Sequence, residues 1–194
     1  MFGLCGFLAD NIVAKSICAI SYGIASEHPV LPASLFCRSV FVTCGMFDEY
    51  LRAAEDRKWM SIVASVYGPK TVCIKAKVHY AGFPTSIYSV ARKYFLYQRH
   101  VIKAGLGGLS QTVYVCATCC WIGSFFICPE AAGLALALYI VLRGIVDPIR
   151  RSKQKKWWGN EPLSILMAPI VALVVDISKT IGILHTYLSR KHLL

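Results

Sequence analysis

Apolar and polar positions cut this chain into blocks of different period. From Met1 to Ile24 the residues are largely apolar, interrupted by the charges of Asp10 and Lys15. Asp10 and Asn11 are placed to cap a helix running through Ile12, Cys18, Ala19 and Tyr22. Glu27-His28-Pro29 and then Pro32 stop it. Pro32–Phe47 is apolar apart from Arg38 and reads as a short, marginal membrane helix with Arg38 snorkelling near one edge. Asp48–Tyr67 is the most water-compatible stretch. Acids lead and bases trail, as a helix dipole prefers, and Gly68-Pro69 ends it.

The period then changes. In Thr71–Tyr80, Val72, Ile74, Ala76, Val78 and Tyr80 alternate with Cys73, Lys75, Lys77 and His79, which predicts a strand. No partner strand stands out in the sequence, so an arm that pairs with another chain is one way to satisfy it. Pro84-Thr85-Ser86 starts a helix of period 3.6. Arg92, Leu96, Arg99 and Lys103 line one side, flanked by Lys93 and His100. Ile87, Val90, Ala91, Tyr94, Tyr97 and Val101 take the other. Such a basic amphipathic helix suits a membrane surface, or packs its apolar face on a neighbouring helix.

Ala104–Pro129 carries no charged side chain at all. As a helix it reaches roughly 39 Å, against a hydrocarbon core of about 30 Å. Gly105, Gly107 and Gly108 allow a bend at its entry. Pro129-Glu130 closes it, and Ala131–Val146, interrupted by Arg143, follows as a second apolar segment. An antiparallel helical hairpin is expected. Lys93, Arg99 and Lys103 precede it and Arg150, Arg151, Lys153, Lys155 and Lys156 follow, so both ends lie on one side by the positive-inside rule, with Trp157-Trp158 at the aromatic-belt level. Pro162–Leu188 is a third apolar segment containing Pro169, Asp176 and Lys179. It reads as a kinked or tilted membrane helix, with Asp176 and Lys179 spaced to pair at i, i+3.

Composition strengthens the membrane reading. The 194 residues are 56% hydrophobic and only 16% charged, with formal net charge +11; an average globular domain has about 25% charged residues. Between Arg57 and Pro129 there is no Asp or Glu. The expected fold is therefore an all-α membrane protein: a helical hairpin, a third kinked membrane helix and basic amphipathic interfacial helices. The expected divisions are residues 1–47 (N-terminal apolar or interfacial helices), 48–103 (a basic membrane-surface region) and 104–194 (the hairpin and C-terminal membrane helix). Met1–Ile24 has no charged region before its apolar core, no Arg, and an acid at Asp10, so it reads neither as a secretory signal nor as a cleavable mitochondrial leader.

Candidate chemistry is sparse. Cys116, Cys119 and Cys120 contain a single C-x-x-C, whereas a structural zinc site needs four ligands. These cysteines with Gly123, and Gly133 with Ala137 on the second helix, read as small-residue faces for close helix packing. No histidine lies in Ala104–Val146 to hold a haem. No metal and no cofactor is expected. Arg38, Arg143, Asp147, Asp176 and Lys179 are the ionisable residues inside apolar segments, and are either functional or simply paired. Gly105-Leu106-Gly107-Gly108 lacks the Lys-Ser/Thr of a phosphate loop, and no hydrolase motif occurs. No enzyme activity is expected.

The basic and aromatic residues Arg92, Lys93, Arg99, Lys103, Arg150, Arg151, Lys153, Lys155, Lys156, Trp157 and Trp158 are expected to bind anionic phospholipid such as cardiolipin rather than nucleic acid. The functional expectation is a non-catalytic accessory subunit of a multi-subunit mitochondrial inner-membrane complex, of the respiratory chain or the ATP synthase, with other membrane subunits as partners. A small oligomeric transporter or channel, and a membrane-shaping amphipathic protein, are the alternatives.

Overall fold

The computed structural model describes residues 1–51, 53–68, 72–106, 108–153 and 160–191. The chain is mostly helical and also carries a small sheet, which corrects the all-α expectation. Strand β1 (Phe2–Phe7) lies in the middle, between β2 (His28–Val30) and β3 (Val72–Tyr80). It pairs antiparallel with β2, Leu4 opposite Pro29, and parallel with β3, Leu4 opposite Lys77 and Phe7 opposite Tyr80. The predicted strand therefore finds its partner inside the chain. The first residues are the missing partner: Gly3 and Gly6 weaken a helix there, and Phe2 and Cys5 are buried by the sheet.

Helix α1 (Ile12–Ser21) begins where expected, with Asn11 Oδ1 accepting from the Ala14 N–H at 2.9 Å. Pro32–Phe47 does not form a membrane helix. Its only α-helix is α2 (Arg38–Cys44), too short to span, with Arg38 exposed. Helix α3 (Glu55–Tyr67) starts seven residues later than the acid-led pattern suggests, because Asp48 is drawn back onto Lys58 at 2.8 Å. Trp59 of α3 is buried among Phe36, Phe41 and Phe47, its indole N–H donating to the Gly45 carbonyl at 2.8 Å. These rings hold α2 and α3 together.

Helix α4 (Ile87–Lys103) opens on a Ser86/Ser89 capping box. Its apolar side packs on the last helix rather than facing outward as an interfacial helix would, burying Val90, Val101 and Ile102. After a break at Ala104–Leu106 come α5 (Leu109–Ile127) and α6 (Pro129–Arg151), the predicted hairpin, with Pro129 in the first turn of α6. Over Ile140–Val146 the winding of α6 widens to π geometry. Helix α7 (Pro162–Lys191) completes the chain, with Pro169 inside it.

One hydrophobic core joins all three sequence segments. Ile17, Cys18 and Ile20 of α1, Phe83 before α4, Val90 of α4, and Ala168, Val171, Ala172 and Val175 of α7 are all buried in it. Helices α4 and α7 approach closely because Gly182 has no side chain; a Cβ there would lie 2.7 Å from the Phe95 carbonyl oxygen. Helix α6 (Pro129–Arg151) and the Pro162–Ser189 part of α7 are each long and apolar enough to cross a membrane.

Candidate functional site

Of the charged residues that the sequence placed inside apolar segments, Arg143, Asp147 and Asp176 meet where α6 crosses α7, while Arg38 is exposed on α2. The crossing is close for a local reason. Gly144 faces Pro169, and a Cβ at position 144 would sit 2.5 Å from the proline ring. The π-wound turn lies at this point, a geometry often found at functional sites. It carries Arg143 into the protein, where its side chain is only 24% exposed.

Arg143 uses its guanidinium on three acceptors from three helices. Nη1 donates to Asp147 Oδ2 at 2.9 Å and to the Ile20 carbonyl of α1 at 3.0 Å, while Nε donates to Asp176 Oδ2 of α7 at 3.3 Å. The Ile20 contact matters for α1, whose last carbonyls lack helical partners. The Tyr139 hydroxyl donates to the same Asp176 oxygen at 2.7 Å. Arg151 Nε donates to Asp147 Oδ1 at 2.8 Å. Two arginines and two aspartates thus balance, and four polar side chains of α6 (Tyr139, Arg143, Asp147 and Arg151) repeat every fourth residue along one face. That spacing was the available signal for Tyr139, which motif reasoning missed.

The expected Asp176–Lys179 pair does not form as an ion pair. Lys179 turns instead over the Tyr94 ring, 5.4 Å from its centre, and the Tyr94 hydroxyl meets Ser21 Oγ at 3.1 Å. Asp176 is instead taken by Arg143 and Tyr139 of α6. Beside Asp176 and Tyr139 is a cavity of about 290 Å³. Its walls are mainly apolar, from α5 (Ala117 and Trp121), α6 (Ala135) and α7 (Leu173). No family model, curated protein or solved structure matches the chain.

The remaining sequence candidates fall in two places. On α4, Arg92, Lys93 and Lys103 are exposed, and Arg99 lies half-buried with its guanidinium 5.5 Å over the Phe95 ring. Lys93 donates to the Tyr80 hydroxyl at 3.2 Å. At the end of α6 and just past it, Arg150 and Lys153 are exposed, and hydrogen bonds tie this end to the α1–β2 loop: the Arg151 carbonyl accepts from Ser26 Oγ at 3.0 Å and the Lys153 N–H donates to the Ile24 carbonyl at 3.1 Å. Lys155, Lys156, Trp157 and Trp158 lie outside the described residues.

The small-residue faces do not pack within the chain. Cys116, Cys119, Cys120, Gly133 and Ala137 are exposed, and a Cβ on Gly123 or Gly133 would touch nothing. The hairpin instead closes through the Trp121 indole, which donates to the Ala132 carbonyl at 3.3 Å. No group of three or more His, Cys, Asp or Glu able to hold a metal occurs among the described residues. His185 is exposed and meets the Phe95 ring edge-on.

Outside the apolar segments, two lysines pair with carboxylates. The Lys77 ammonium on Glu27, 2.9 Å away, and the Lys58 ammonium on Asp48 hold both carboxyls below their ordinary range. Burial pushes the Cys18 thiol up to about 11.

Proposed function

We propose that this chain is a non-catalytic, membrane-embedded subunit of a larger assembly, contributing helices and a basic surface for anionic phospholipid. One observation carries the reading. Exposure is inverted: Phe126 and Ile127 of the hairpin are each 87% exposed and Leu134 73%, while the side chain of Asp176 on α7 is 12% exposed. Water favours the opposite arrangement, and an apolar surface of this extent is stable only under lipid or other protein. The outward Cys116, Cys119, Cys120 and Gly123 face suits close approach of a helix from another subunit. The packing of α4 on α7 removes the apolar face that a membrane-shaping protein would insert. The finer assignment, an accessory subunit of a respiratory complex or of the ATP synthase in the mitochondrial inner membrane with cardiolipin as its lipid, rests on the basic charge alone.

Gentle solubilisation followed by native electrophoresis tests the proposal. Migration of the chain within a large complex, with co-purified phospholipid, is expected. A lone monomer or small oligomer overturns the subunit reading, and recovery in the soluble fraction overturns the membrane reading.

A further inference from the structure

The cavity between α5, α6 and α7 has a chemical character that its surroundings do not share. Asp176 is about nine-tenths buried in total, and both of its hydrogen bonds, from Tyr139 and Arg143, fall on Oδ2. Among the described residues Oδ1 takes none, and Asp176 forms part of the cavity wall. Tyr139 is also part of the cavity wall, and its oxygen, having donated its proton to Asp176, has a lone pair to spare. On α5 the Trp121 indole N–H is already given to Ala132, and the Thr118 hydroxyl, which can donate or accept, also belongs to a residue of the cavity wall. The one charged group of the wall is therefore a carboxylate with an open acceptor oxygen, set among apolar side chains. A ligand that donates a proton satisfies that oxygen, and one that can also accept is matched to Thr118.

We propose that this cavity holds the head of a neutral long-chain alcohol drawn from the membrane, its hydroxyl donating to Asp176 Oδ1. The proposal rests on the membrane reading above. The charge of the site selects among donors. Arg143 and Arg151 already balance Asp147 and Asp176, and Lys179 lies one turn away, so nothing calls for an added ammonium. A fatty acid ionised at neutral pH would set a second carboxylate against Asp176. A hydroxyl meets the free acceptor without adding charge. At about 290 Å³, near the lower end of ligand pockets, the space takes a head and the first part of a chain. The rest of the chain would run out along the exposed apolar flank of the hairpin.

The test uses the full chain in phosphatidylcholine nanodiscs and three photoreactive probes of equal length: a long-chain alcohol, its methyl ether and the corresponding fatty acid, each with a diazirine near the head. Peptide mapping is expected to find the alcohol on Ala117–Trp121 or Ala135–Tyr139 at least about tenfold above the ether and the acid, since only the alcohol donates to a charged acceptor. Ala135→Phe, which fills the cavity and leaves the ion pairs alone, should abolish that labelling. Equal labelling by ether or acid, labelling unaffected by Ala135→Phe, or no labelling of these segments by the alcohol overturns the proposal. Labelling of Phe126 and Leu134 by all three probes reports embedding separately. If those residues stay unlabelled, the membrane reading itself fails.

Discussion

The two ends of α6 belong to different environments although they are one helix. From Tyr139 to Arg151 it lies against α1 and α7, its charged side chains paired and its one close approach prepared by Gly144. From Pro129 to Leu138 only Ala132 is buried, and the partner helix α5 buries none of its described residues. The chain thus completes its own interior where charge must be compensated and leaves its most apolar surface uncovered. The paired end fixes the fold. The bare end is where the surroundings, lipid or another helix, supply the missing contacts.

The sharpest way to break this contrast is to remove Arg143. Arg143→Ala leaves Asp147 and Asp176 facing each other in a half-buried site and strips a donor from Ile20. Losing one member of such a pair costs about 3–5 kcal/mol. Denaturant unfolding in detergent micelles should show a loss of that order, whereas Phe126→Ala, at a side chain 87% exposed, should leave the isolated chain's stability within about 0.5 kcal/mol. Comparable losses for both would mean that the two ends are not different in kind.

A finer cut uses glycine alone. Gly144→Ala puts a methyl group 2.5 Å from the Pro169 ring and should cost about 1–3 kcal/mol through overpacking. Gly133→Ala on the bare end meets nothing within 4 Å and should stabilise by up to about 1 kcal/mol, from helix propensity. Pro169→Ala should restore part of the Gly144→Ala loss in a double-mutant cycle. A Gly144→Ala chain as stable as wild type would remove the proposed reason for the close crossing.

Much of this was readable from local pattern, because local pattern is what caps and periods encode. Asn11 and Ser86 start helices, Gly68 ends one, the alternation at Val72–Tyr80 is a strand, and Pro129 divides the hairpin. What escaped the sequence is set by distant partners. Phe2–Phe7 is a strand only because β3, some seventy residues on, lies alongside it. Arg38–Cys44 is short because Phe36, Phe41 and Phe47 gather on Trp59 instead of continuing a helix. At the site, Arg143 and Asp147 were visible as charges in apolar surroundings. The partners that decide their geometry, Asp176 across the crossing and the Ile20 carbonyl, depend on packing that spacing does not reveal.

The packed half also has a pH signature. Cys18 is 2% exposed and its folded thiol titrates near 11, against 9.0 unfolded. Above pH 9 the unfolded chain loses this proton before the folded one does, so stability falls as pH rises and the effect is complete near pH 11. At pH 10 the loss is about 1 kcal/mol from this group. Cys18→Ala should flatten this part of the stability curve relative to wild type. An unchanged slope would show that the thiol is not insulated from water in the fold.

The smallest effect is expected where the bare end carries its most conspicuous residues. Cys116, Cys119 and Cys120 are exposed, and no candidate metal group includes them among the described residues. If their role is to keep one face of α5 narrow for an approaching helix, alanine serves as well as cysteine. The triple Cys→Ala chain should unfold within about 0.5 kcal/mol of wild type and assemble into the same native complex. Leucine at the same three positions should leave the isolated chain equally stable but weaken that complex, since the added bulk holds the helices apart. Loss of assembly in the alanine chain, or bound metal that disappears with the three thiols, would move these residues from packing to chemistry and make the bare end a site in its own right.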